Sequence, residues 1–559
     1  MEEYANSSSS SSSKYNFFVF IFFILVYILP LGYSPLVEPD ETRYAEIPRE
    51  MIVNHNWVVP YMDGIRYFQK PVLGYWMNAV SELVFGYNAF AVRFASAFTT
   101  GLAALLIYFF IKKFLKDKYL ASLSSLVFLS LGLVFGIGTF AVLDAQLSFF
   151  VTGALIMFYF AYKKESFWGC NFFLALSGLF AGAGFLTKGF LVFAVMAITI
   201  APFLIWEGKW KRMFTMMWTP IIFVLAISLP WAIAVYIRAP DFWNYFFYDQ
   251  NVKRYFTDTA GDHPEPFWFL IPILFLGALP WTFQLPSILL GLRKNNFLKN
   301  QVMRYGLCWV VFPFVFFSMC SGKLPTYILP CFPPLAIFTA YGLYLYLKKN
   351  IKGKIFSYTL IFLATVAIIG SIGFIIFQLI SLTGKIKGLY LPSEYWKWII
   401  AFFAIMFFVY LIKCSLKAKT IQNKLFLLAM APMAILGIKG VATPDSALYH
   451  KAQGSFILRQ AKYIQPDTMV IAYPNMIHSV CWYLKRDNVY VFGNTGEFSH
   501  GLSYPDAKYK FITQKKLDEL IKSGKHKDNI AFFMRGGFRE DIPASKIEDY
   551  QHHMMFSKL

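Results

Sequence analysis

Long apolar runs dominate the chain up to residue 441, and shorter ones separated by charged residues follow. A membrane-crossing helix needs about 20 mostly apolar residues. Candidates fall at 17–34, 89–110, 119–136, 143–161, 171–187, 190–206, 213–236, 268–291, 305–320, 328–347, 355–381, 396–412 and 425–441, with Lys188 interrupting the stretch 171–206. The pattern predicts a polytopic α-helical membrane protein of about thirteen spans. In the tail, 442–559, TMVIAYP and NVYVFG read as strands and KKLDELIKSG as a helix. That mixture predicts a small soluble α/β domain, long enough to bury a core of its own. The tail carries no Gly-rich phosphate fingerprint and no nucleophile elbow.

Composition agrees with a bilayer protein: of 559 residues, 57% are hydrophobic, 20% aromatic and 15% charged. The formal charge of +21 suggests nucleic acid only if basic residues share one solvated face, and here they lie between apolar runs. Membrane topology accounts for them instead. With a polar N-terminus (1–16) in the cytoplasm, every alternate loop is basic: Lys112, Lys113, Lys116 and Lys118; Lys163 and Lys164; Lys209, Lys211 and Arg212; Arg293, Lys294, Lys299 and Arg304; Lys348, Lys349, Lys352 and Lys354; Lys413, Lys417, Lys419 and Lys424. The same register puts 35–88, 237–267, 321–327 and the tail on the opposite face, so the candidate chemistry is extracytoplasmic. Ser7 to Ser13 is a low-complexity lead-in, and the first apolar run lacks a small-residue cleavage signal, which makes it a retained span. Of six cysteines only Cys481 falls in the tail, so an internal disulfide or zinc-type spacing there is excluded. The expected organisation is a transmembrane domain over 17–441 followed by the α/β domain over 442–559.

Five constellations on the outer face could carry chemistry. Glu38, Asp40 and Glu41, followed by Arg43, Tyr44 and Glu46, open the first outer loop, where a solvated helix end is the competing reading. Arg66, Tyr67, Gln69 and Lys70 place a lysine between aromatics and a proline, which suits a bound anion as well as a snorkelling lysine. Asp144 sits at the mouth of a span, where a carboxylate must be paired, face a wet cavity or cap the helix. Asp249, Lys253, Arg254, Asp262, His263 and Glu265 form a mixed segment whose lone histidine is a hydrogen-bonded loop residue or a metal ligand without a completed cluster. Ser321 to Pro330 is a rigid turn carrying Lys323 and Tyr327, equally readable as a tight hairpin. A transporter would more often show Gly/Pro-broken spans with ion sites at the midplane, whereas these charges lie in loops at one mouth.

The strings PDETRYAEI at 39–47, RYFQKP at 66–71, AVLDAQ at 141–146, FLTKGF at 185–190, VKRYF at 252–256, DHPEPFW at 262–268, SGKLPTYILPCF at 321–332 and GLSYPDAKYKFIT at 501–513 run colinearly through nearly the whole chain. In these the chain resembles the lipid A aminoarabinose transferases. The resemblance implies a GT-C glycosyltransferase fold under a periplasmic domain, related to protein O-mannosyltransferases. The activity it implies is inverting transfer of 4-amino-4-deoxy-L-arabinose from undecaprenyl phosphate to lipid A phosphates at the periplasmic face of the bacterial inner membrane, a modification that lowers affinity for polymyxin. Its implied partners are that lipid-linked donor, the lipid A acceptor and membrane lipids, with no nucleic acid.

By the same resemblance Asp40 and Asp144 are the catalytic acids. Lys70, Arg254, Tyr67, Lys323 and Tyr327 match the donor-phosphate side, and Glu41, Arg43, Tyr44, Arg66 and Lys188 are placed with the sugar or acceptor. His263 matches a position associated with a divalent metal. Position 69 is Gln where the family commonly has Glu, which weakens a metal site there and leaves another aminosugar, such as galactosamine, open. A protein O-mannosyltransferase-like enzyme acting on a hydroxyl is the alternative within the fold, and a lipid-linked sugar flippase the alternative outside enzymes.

Overall fold

The computed structural model describes residues 2–253, 264–349, 351–449, 451–523, 529–535, 547–551 and 553–559. The chain folds as two compact units. One comprises Met1–Leu31, Ser96–Ala232 and Phe247–Ala442; the other comprises Gly32–Ala95, Ile233–Phe246 and Thr443–Leu559. The outer segments Gly32–Ala95 and Ile233–Phe246, which the apolar pattern assigns to the transmembrane part, therefore fold with the tail.

The first unit is helical. Among the described residues ten helices are long and apolar enough to cross a membrane, and two further apolar pairs are broken by bends. The helix Leu191–Trp206 is shorter than a full span. Each range expected from the sequence coincides with one of these elements, so the departure from about thirteen unbroken spans lies in continuity. Lys118–Ser130 and Gly132–Gly138 meet at 67°, and Leu270–Gly277 and Trp281–Lys294 at 93°. The two breaks satisfy one another: Gly132 N donates to Leu279 O at 3.0 Å, and Trp281 Nε1 donates to Ser130 Oγ at 2.9 Å. Irregular backbone inside a bilayer requires such internal partners.

Close helix approach relies on small residues. Gly178 and Gly182, spaced i, i+4 on the helix Phe167–Lys188, let the backbone of Trp218–Arg238 come so near that a Cβ on Gly178 would lie 2.5 Å from Pro220 O. Ile361, Phe362, Ile369, Ile372 and Ile376 on the helix Lys354–Ser381 are exposed, as a lipid-facing helix requires.

The second unit contains structure that the apolar pattern leaves as a loop. Helices Asp40–Val53 and Leu73–Phe85 flank a short hairpin of β1 (Tyr61–Met62) and β2 (Ile65–Arg66). Asp63 and Gly64 form its two-residue turn with φ of 57° and 69°, the geometry an Asp-Gly pair favours. The tail contributes β3 (Met469–Ala472), β4 (Val489–Phe492), β5 (Phe511–Ile512), β6 (Ile530–Arg535), β7 (Ile547–Gln551) and β8 (Met554–Lys558). Their order is β5-β4-β3-β6-β8-β7, parallel from β5 to β6 and antiparallel through β8 and β7. Met469, Ile471, Phe492, Ile512, Leu517 and Phe532 fill its core.

Candidate active site

In the second unit, the helix Asp40–Val53 starts directly after Pro39, and Asp40 and Glu41 in its first turn complement the positive end of the helix dipole. The acids that open it are used differently. Glu38 is buried and accepts hydrogen bonds from Thr42 Oγ1 and, at 2.5 Å, from Ser479 Oγ. Glu41 is fully buried: Arg93 Nε and Nη2 donate to its two oxygens at 2.6 Å each, and Val37 N donates at 3.0 Å. Glu41 was expected at the sugar or acceptor, but its oxygens are consumed by this structural pair. Asp40 alone keeps an accessible carboxylate, 49% exposed, with Arg43 Nη1 at 3.5 Å.

Arg43 lies one turn further on and turns its other terminal nitrogen to Glu497, Nη2 to Oε1 at 2.8 Å. Tyr44 stacks on Tyr75 with centroids 6.1 Å apart. Tyr67, expected near the donor phosphate, is buried and donates its hydroxyl to Glu497 Oε2 at 2.9 Å. Arg66 pairs with Asp506 at 2.9 Å and lies 4.6 Å over the Tyr504 ring, so part of its charge is neutralised by the tail. Lys70 is half-buried next to these residues in sequence.

His478 joins the same network, with Nδ1 2.6 Å from Asp63 Oδ2 and Nε2 3.1 Å from Glu497 Oε1. Burial pushes His478 toward its neutral form, but Asp63 and Glu497 overcome it and raise its pKa well above the usual value. Burial pushes Glu497 up, yet Arg43 and His478 hold it well below the usual carboxylate range. Nearby, burial raises Glu46 to about 7 despite its bidentate pairing with Arg49 at 2.8 and 2.5 Å.

In the first unit, Asp144 stands in the first turn of Leu143–Tyr162 and Lys188 in the last turn of Phe167–Lys188. The two helices are neighbouring antiparallel arms, so Lys188 Nζ reaches Asp144 Oδ1 at 2.7 Å and lies 5.5 Å over the Tyr327 ring. Lys188 is expected at the sugar or acceptor; its ammonium is found on Asp144, the residue expected as a catalytic acid. Tyr327 belongs to the short 3-10 segment Pro325–Cys331. Lys323 is 4% exposed and donates to Glu265 O at 2.5 Å, while Pro264 and Gly322 form a bridge that fixes this turn. Arg254 and His263 lie outside the described residues. Gln69 offers a neutral amide oxygen, a poorer ligand for a hard divalent cation than a carboxylate. With His263 outside the described residues, no step of the mechanism is routed through a metal.

Sequence reasoning does not single out Asp63, His478 or Glu497 as functional residues. Asp63 sits in a legible Asp-Gly turn, but His478 is a lone histidine on the apolar helix Ile477–Leu484, and Glu497 one acid in NTGEFSHG. Gly493 and Gly496, with φ of 87° and 48°, shape the turn that presents Glu497.

Against known proteins, residues 12–246 match the family model for dolichyl-phosphate-mannose-protein mannosyltransferase, and 448–557 match that for the C-terminal domain of arabinosyl transferase ArnT. An undecaprenyl phosphate-alpha-4-amino-4-deoxy-L-arabinose arabinosyl transferase of Shewanella sediminis is 37% identical over 504 residues, 89% of this chain and 90% of that relative. The protein of the same name from Photorhabdus laumondii is 37% identical over 531 residues, 93% of each chain. The chain belongs to this arabinosyl transferase family. It is a multi-pass membrane glycosyltransferase. The crystal structure of ArnT from Cupriavidus metallidurans bound to undecaprenyl phosphate superposes with a TM-score of 0.81 at 20% identity, covering 97% of both chains, and places the fold in the GT-C class.

Proposed function

We propose that the protein transfers 4-amino-4-deoxy-L-arabinose from undecaprenyl phosphate to a phosphate of lipid A at the periplasmic face of the bacterial inner membrane. The observation that carries this reading is the 37% identity, over nearly the full length, to enzymes named for that donor. The alternation of basic loops supports a cytoplasmic N-terminus and a periplasmic tail.

The acceptor is a phosphate monoester whose second pKa is about 6, so near neutrality it is largely dianionic and needs little help from a base. One of its oxygens attacks the anomeric carbon. The bond from that carbon to the undecaprenyl phosphate oxygen breaks with inversion, and the electron pair leaves with the phosphate. The demanding tasks are bringing two anions together and stabilising the leaving group, which cations in a partly dry site perform. Lys70 and Arg254 neutralise the leaving phosphate, with Lys323 assisting. Tyr327 belongs to the donor side, and Arg66 to the sugar or acceptor.

Asp40, the acid of its cluster left accessible, stabilises the positive charge that develops on the sugar. Asp144 shares this task and is held in place by Lys188. The metal expected at His263 has no assigned part in this scheme.

Mass spectrometry of lipid A from cells with the intact protein, with Asp40→Asn and with no protein tests the reading. A pentosamine-sized gain that requires Asp40 is the expected result. A hexosamine-sized gain changes the sugar, and no gain with donor present and expression verified refutes the acceptor. The mannosyltransferase match over 12–246 supports a hydroxyl acceptor as the second reading, and a sugar found on protein in the same cells decides for it.

A further inference from the structure

Glu497 accepts three hydrogen bonds from three separate segments: from Arg43 at 2.8 Å, Tyr67 at 2.9 Å and His478 at 3.1 Å. A carboxylate with most of its lone pairs filled by charged or phenolic donors has little freedom to move. Behind it, fully buried His478 is fixed through its other nitrogen to Asp63 at 2.6 Å, and Asp63 sits in the tight turn between β1 and β2. The result is a chain of contacts from the hairpin through the tail to the helix that carries Asp40.

Its geometry bears on Asp40. The Arg43 guanidinium lies between two acids, close to Glu497 at 2.8 Å and loose on Asp40 at 3.5 Å. Without Glu497 the nearest anion for that guanidinium is Asp40, and a closed bidentate pair would cancel the charge and cover the carboxylate that the sugar must meet. We propose that Asp63, His478 and Glu497 form a positioning relay that draws Arg43 away from Asp40 and orients Tyr67, keeping the Asp40 carboxylate accessible. The relay rests on the catalytic role proposed above for Asp40. None of its three members needs to touch substrate; they act through Arg43 and Tyr67. At neutral pH His478 stays protonated and Glu497 ionised, so the contact between them is charge-assisted.

The test uses the full chain in lipid vesicles containing donor and lipid A, and compares Glu497→Gln, Glu497→Ala, Arg43→Gln and the double variant Arg43→Gln/Glu497→Ala. Misplacing a catalytic group by about 1 Å costs on the order of a hundredfold. Glu497→Ala is therefore expected to lower kcat by about 10- to 100-fold with a smaller change in donor KM. Glu497→Gln, which keeps an acceptor oxygen, is expected to fall between it and the native protein. The double variant is expected to lose less than the two single variants' losses combined, because part of what Glu497 does passes through Arg43 and the rest through Tyr67.

Additive losses, or a folded Glu497→Ala protein with native kcat, overturn the relay. A cryo-EM structure of Glu497→Ala supplies a readout independent of activity: Arg43 closed onto Asp40 supports the relay, and Arg43 in its native pose refutes it. If the native protein transfers no sugar, the functional reading fails and the structure of the variant alone decides the relay.

Discussion

Replacing Arg93 by methionine tests whether one buried ion pair sets the helix that carries Asp40. Arg93 spends its guanidinium on both oxygens of Glu41 at 2.6 Å and on the carbonyls of Ser34 and Pro35 at 2.8 Å each. The arginine side chain is 4% exposed and the glutamate 0%. Methionine fills much of the same volume, so the cavity contribution is small, and what remains is an uncompensated carboxylate with two carbonyls stripped of their donors. Removing one partner of a buried pair costs about 3–5 kcal/mol. Glu41→Gln in the same chain removes the orphaned charge and should recover about half of that loss. The assay is pulsed alkylation of Cys481, read by mass spectrometry of its peptide, because this thiol is fully buried in the same unit and reacts only when the unit opens. At about 1.4 kcal/mol per factor of ten, Arg93→Met should speed alkylation by about a hundredfold or more. A native rate in Arg93→Met, or a double variant as reactive as the single, would refute the reasoning.

Asp144→Asn should abolish transfer, and an in vitro assay that finds native turnover would remove Asp144 from the mechanism. Lys188→Met should leave Asp144 without its 2.7 Å partner and cut turnover by about 10- to 100-fold, measured as kcat against Lys188→Arg, which restores a cation. The stability of the second unit should fall as pH rises. His478 has a folded pKa raised above the unfolded value of about 6.5, so its stabilisation is complete below that value and is lost as pH climbs through the folded pKa. Glu46, raised to about 7, has the same sign between about pH 4.3 and 7, because the folded chain keeps a proton that the unfolded chain releases. Thermal unfolding across that range and above should show the decline, and a His478→Asn variant with an unchanged slope at alkaline pH would contradict it.

What the sequence made legible divides along a physical line. The spans were readable because each is a local property of about twenty residues, and every apolar run found its helix. The breaks at Leu131 and Pro280 were not, since the bend depends on a carbonyl of another span, Leu279 O, to accept from the opened Gly132 N–H, with the Trp281 indole donating to the Ser130 hydroxyl alongside. Asp40 and Asp144 stood out by sitting at span mouths, but position alone could not tell Asp40 from Glu41 one residue on. Only Arg93, 52 residues away, makes that distinction by consuming Glu41 and leaving Asp40 exposed. The same logic hid Glu497, which is 454 residues from Arg43 and unremarkable in its own segment. Acids near the first span are thus assigned their tasks by partners far along the chain: Arg93 makes Glu41 structural, Ser479 holds Glu38, and Glu497 competes with Asp40 for Arg43. A motif matched by spacing finds the acids, and the distant partners determine which of them can meet a ligand.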